Sequence, residues 1–184
     1  TAPTAGFTLD VNGAGRFNGN VSIIGDGTTN AFLTVGAGTG KIDVGTVDPV
    51  YNIDGVKYAT YLPGMVGIRE EISGTIETRD YILNKGYQYV MDFGNLITGS
   101  DLWLFTKATG LRKNINNLVV LLSTEGNSRT WYQIDRQNYK LNIYSSSPSK
   151  ISYRLTAPRF DFEQWTNYND NPHAIGFIVP PDEG

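Results

Sequence analysis

Cysteine is absent from the chain, so thiol catalysis, disulfides and thiolate metal sites are excluded together. Histidine is nearly absent. The single one, His173, stands in Asn171-Pro172-His173-Ala174, a proline-containing turn, and reads as a surface or structural residue. A Ser-His-Asp triad would have to use it, and no Gly-x-Ser-x-Gly elbow is present to pair with it. One histidine without cysteine also excludes a histidine-cluster metal site. Long apolar runs are missing too. The longest, Leu118 to Leu122, has the length of a strand and not of a membrane span, so no membrane insertion is expected. Charge is low, at 18% Asp, Glu, Lys and Arg, and nets to -3, so no field favours nucleic acid. No Met opens the chain, and Thr1-Ala2-Pro3-Thr4-Ala5 reads as a processed or trimmed terminus.

Glycine and aromatic residues are plentiful, with 21 Gly, 11 Tyr and 8 Phe among 184 residues. Together with Thr, Val and Ile they make a β composition, because flat and branched side chains pack well on a pleated surface. The composition changes near Pro49. Residues 1–48 hold ten of the glycines, no Trp or Tyr, and only Arg16 and Lys41 as cations. Short alternating runs recur there, such as Phe7-Thr8-Leu9-Asp10-Val11 and Phe32-Leu33-Thr34-Val35, each followed by Gly-rich turns. Strands so short and so poor in large side chains bury little by themselves, and this Gly-rich β arm needs a neighbour. Gly36 to Lys41 imitates a phosphate loop, but Ile42 stands where Ser or Thr is required, and no helix follows.

Residues 49–184 predict a denser globular β domain, a β-sandwich or jelly-roll-like fold. The expected strands are Lys57–Leu62, Ile72–Tyr81, Tyr87–Asp92, Leu102–Lys107, Leu118–Ser123, Thr130–Asp135, Lys140–Tyr144, Ser152–Thr156 and Ala174–Val179. Asp80 to Lys85 is the one candidate helical turn. Trp103 is expected in the core, and only one of Trp131 and Tyr132 can point inward.

Four chemistries could use these residues. Paired carboxylates require two acids on one face. Glu70 and Glu71 would point oppositely on a strand, whereas Asp161 and Glu163 would share a face if extended. Calcium could use Asn167-Tyr168-Asn169-Asp170-Asn171, which lacks the spacing of a calcium loop. Glycan stacking could use Trp131, Tyr139 and Trp165. An isopeptide cross-link could use Lys57, Lys107 or Lys140. Ordinary packing or solvation is the simpler reading of each, so no catalytic residue, metal or cofactor is expected and the chain reads as no enzyme.

Leu9 to Gly13 followed by Phe17 to Gly25 resembles the short β repeats of fibrous bacterial surface proteins and phage tail-fibre stalks. Those repeats stack into β-solenoids or intertwined trimers. Tyr51 to Tyr61, Gly64 to Gly67, Glu70-Glu71, Gly99 to Phe105 and Ser152 to Asp161 resemble a C-terminal β domain of large secreted or surface proteins of uncultured candidate-phylum bacteria. The resemblance implies an extracellular, surface-attached setting and carries no activity with it. Those proteins are much longer than this chain. The expectation is therefore a structural subunit of an extracellular fibre or pilus-like filament that assembles with copies of itself by β-strand exchange or addition. Phe7, Leu9 and Val11 are the candidate donor residues. The rival readings are a carbohydrate-binding or adhesive module with surface glycans as partners, and a phage-type trimeric fibre domain.

Overall fold

The computed structural model describes residues 49–59 and 65–165, together with 47, 167, 168 and 178. All but Ile178 belong to the unit Thr46–Ile175. The N-terminal arm with Phe7, Leu9 and Val11 lies outside the described residues apart from Val47, as do His173 and, apart from Ile178, the strand expected over Ala174–Val179.

Alternation builds the strands. In β3 (Arg69–Thr78) Ile72, Gly74, Ile76 and Thr78 turn inward while Arg69, Glu71, Ser73, Thr75 and Glu77 face out. In β9 (Ser149–Pro158) Ile151, Leu155 and Ala157 are fully buried. β9 is the central strand of a three-stranded antiparallel sheet in the order β3, β9, β6, with β6 spanning Val119–Thr124. A second antiparallel sheet has the order β4 (Asp80–Ile82), β5 (Gly86–Asp92), β8 (Lys140–Ser145), β7 (Thr130–Asp135). A separate hairpin pairs β1 (Val50–Ile53) with β2 (Val56–Ala59).

Four connections carry the chain from one large sheet to the other: three short ones, Arg79 between β3 and β4, the turn 125–129 between β6 and β7, and Ser146–Pro148 between β8 and β9, and one long helical one between β5 and β6. Thr78 and Ser145 meet at this corner, both fully buried. Strand accounts for 48% and helix for 16% of the described residues, so the domain is mostly β with antiparallel sheets and short helices.

The stretch Leu102–Lys107, expected as a strand, is instead part of helix α1 (Asp101–Ala108). Ser100 caps it, its hydroxyl accepting from the Trp103 N–H at 3.3 Å, and Asp101 and Lys107 complement the helix dipole at the two ends. Gly110, at φ 55°, ends this helix and opens a second short one, α2 (Leu111–Asn114), followed by a 3-10 turn at Ile115–Asn117. Asp80 to Lys85 is not helical. It forms β4 and a tight turn, with Asn84 and Gly86 at positive φ. One hydrophobic cluster collects Ile76, Ile151 and Leu155 from the first sheet, Met91, Leu141 and Ile143 from the second, and Phe105, Leu111 and Ile115 from the helical segment.

Candidate functional site

Among the described residues the large sheets end in four edge strands, and they are not protected alike. An edge strand exposes unpaired N–H and C=O groups, and charges along it discourage pairing with other chains. β3 carries Arg69, Glu70, Glu71 and Glu77. Arg154 Nε donates to Glu71 at 2.7 Å, and this bond holds the Glu71 carboxyl below its ordinary range. Arg79 Nε donates to Glu77 at 2.8 Å. β4 is only three residues long, and β7 ends in Asp135. β6 reads Val-Val-Leu-Leu-Ser-Thr, without a charge. Among the described residues it pairs with β9 alone. Its outward side chains Val119 and Leu121 are 45% and 56% exposed.

The β1–β2 hairpin offers a second apolar surface. Asp54 and Gly55, both at positive φ, make its two-residue turn. Tyr51 lies opposite Tyr58 and Ile53 opposite Val56, and all four are more than half exposed. An isolated hairpin is marginal in water, so its apolar face favours a partner.

The three candidate stacking aromatics occupy separate surroundings. Trp131 lies on β7, stacked on buried Tyr144 at 5.8 Å between ring centres. Lys85 Nζ sits 5.7 Å from the centre of the Tyr144 ring. Gln88 Nε2 donates to the Tyr144 hydroxyl at 3.3 Å and to Asn142 Oδ1 at 3.1 Å. Trp131 and Tyr132 are both exposed, so neither is buried in the core. Tyr139 is buried, with its ring near Phe93 and the Arg112 guanidinium over it. It ends the turn Asp135–Asn138, which Asp135 closes by accepting from the Asn138 N–H at 3.0 Å. The turn leaves Tyr139 at φ 57°, a costly conformation for a bulky residue. Burial pushes its hydroxyl pKa up. Trp165 follows the 3-10 turn Phe162–Gln164 and donates its indole N–H to Asp161 at 2.8 Å. Trp103, expected in the core, is half-buried on α1 with Lys107 over its ring.

Asp161 and Glu163 do not share an extended face. Asp161 precedes that 3-10 turn, and Arg159 grips it through Nε at 2.5 Å and Nη2 at 2.9 Å. This pairing draws its carboxyl down to about 2, a group fixed as an anion and unsuited to giving a proton. Lys140 Nζ lies 3.0 Å from Asp92, and both side chains are about a third exposed. The Lys140 bond holds the Asp92 carboxyl below its ordinary range. The pair is a partly exposed salt bridge. Lys107 lies on α1 and not on a strand, and Lys57 is exposed on β2. Of the candidate calcium stretch, only Asn167 and Tyr168 fall within the described residues.

Sequence reasoning missed the unprotected edge, since strand order depends on pairings distant in the chain. Its signal was visible: Leu118 to Leu122 is the longest apolar run, and no charge interrupts it. No family model, curated protein or solved structure matches the chain.

Proposed function

We propose that the chain is a structural subunit of an extracellular fibre or filament, assembling by β-strand addition between copies. The observation that supports it is the uncharged edge of β6, unpaired among the described residues, with Val119 and Leu121 exposed beside it. An added strand satisfies the free backbone groups and covers these side chains at once. The two large sheets are read as the layers of one sandwich, of which β6 is the growing edge. The exposed hairpin face of Tyr51, Ile53, Val56 and Tyr58 supports the same reading, as a second surface that gains from association. The donor is proposed to be Phe7–Val11, whose alternation suits an added strand. A head-to-tail contact of this kind repeats without closing and yields a filament, whereas a trimeric fibre domain would close. The setting is proposed as secreted or cell-surface, in line with the repeat-like pattern of the first 48 residues.

Removing residues 1–11 tests the donor. Polymers seen by negative-stain microscopy should disappear while the circular dichroism of the domain persists. Filaments that survive the deletion would rule out these residues as the donor strand.

An adhesive module is the second reading. Trp131, exposed and braced on Tyr144 beside the Gln88 and Asn142 amides, favours it. Loss of glycan-array binding on Trp131→Ala would support it; unchanged binding would not.

A further inference from the structure

Most of the cations whose charge is compensated lie on the sheets. Arg79, Lys140, Lys150, Arg154 and Arg159 each pair with a carboxylate. Lys107, Arg112 and Lys113 form no such pair among the described residues, and all three line one cavity at the helical segment. Among the described residues, no Asp or Glu lines it. Its volume is about 530 Å³, within the roughly 300–1,000 Å³ of small-molecule sites.

The walls are aromatic. Lys107 Nζ stands 5.6 Å from the centre of the Trp103 ring, and the Arg112 guanidinium stands 4.6 Å from that of Tyr139. Ring faces position a cation without neutralising it, so the charge stays available to a ligand. Asp92, next in sequence to the lining residue Phe93, is engaged elsewhere: it accepts from the Gly94 N–H at 2.9 Å and pairs with Lys140. The positive charge is local, since the whole chain nets -3.

We propose that this cavity binds an acidic sugar, a ring bearing carboxylate or sulfate. Arg112 presents a planar donor fork suited to either anion. Lys107 and Lys113 add charge, and the aromatic walls accept the apolar face of a sugar ring. The inference is independent of assembly at β6, because none of the cavity residues lies on that strand.

The test is titration of the full chain, followed by calorimetry and Trp fluorescence. The probes are a short oligogalacturonate, a sulfated heparin-type oligosaccharide, a neutral glucan oligosaccharide, and single-stranded DNA of matched charge. Binding of either acidic glycan, absent for the neutral one, is expected. Arg112→Gln with Lys113→Gln should weaken it about tenfold or more, since charge-assisted hydrogen bonds are lost. These side chains are exposed, so the fold should survive. Lys57→Gln with Arg69→Gln removes equal charge elsewhere, at exposed positions, and should leave affinity within about twofold, a small free-energy change. Carboxylate-only or sulfate-only binding identifies the anion, and both support the site. No binding of either acidic glycan overturns it. So does equal loss in the two double variants, or DNA binding that matches the glycan in strength and in sensitivity to Arg112 and Lys113.

Discussion

The hydroxyls of Thr78 and Ser145 lie 2.5 Å apart at the corner where the two large sheets join. Ser145 donates onward to the Ser147 carbonyl at 2.7 Å, and the Ser149 N–H donates to Thr78 Oγ1 at 3.2 Å. Both side chains are fully buried, so each partner lost leaves a polar group without water. Thr78→Val keeps the shape and removes the acceptor for Ser149. Chemical denaturation should show a loss of about 1–3 kcal/mol. A change below about 0.5 kcal/mol, the scale of an ordinary surface substitution, would contradict a structural role for the corner.

Gly74 faces Tyr153 across β3 and β9. A methyl group at Gly74 would stand 2.6 Å from the Tyr153 hydroxyl oxygen and 2.8 Å from the adjoining ring carbon. The ring occupies the space a side chain would take, and it packs against the core. Gly74→Ala should therefore cost about 1–3 kcal/mol through overpacking. In a Tyr153→Leu background the cost should shrink, and a double-mutant cycle measures the coupling. Simple additivity of the two changes would contradict the contact.

Arg159, with Trp165, lowers the Asp161 carboxyl from 3.8 to about 2. A depressed folded-state value means that the ionised form favours folding. The contribution is full above the ordinary value and is lost as pH falls through the window from about 4 to about 2. Asp161→Asn should lower the melting temperature at neutral pH. The gap to the unsubstituted protein should close as the pH is brought down through that window. A gap constant with pH would show that the carboxylate charge is not what matters.

Strands that alternate and end in breakers were legible in the sequence. Thr130–Asp135 emerges with the expected ends, and Tyr87–Asp92, Leu118–Ser123 and Lys140–Tyr144 emerge within one residue. The run Leu102-Trp103-Leu104-Phe105 misled, because bulky apolar residues are common to strands and buried helices. Ser100-Asp101 before it was the unused helix-start signal. The cavity was beyond reach for a different reason. Phe93, Trp103, Arg112 and Tyr139 come from separate stretches, and only the folded chain brings them together. The β6 edge is similar: its residues could be read, but its place at the end of the sheet among the described residues rests on pairings distant in the chain.

The central claim is that copies associate through β6. Sedimentation of the full chain over a concentration series, with and without Leu121→Lys, tests it most directly. Leu121 is 56% exposed, so a lysine there is tolerated by the folded domain and charges the bare edge. The account predicts concentration-dependent polymers for the unsubstituted chain, and monomers with an unchanged melting temperature for Leu121→Lys. An unsubstituted chain that stays monomeric throughout, or polymers that persist with Leu121→Lys, would contradict it.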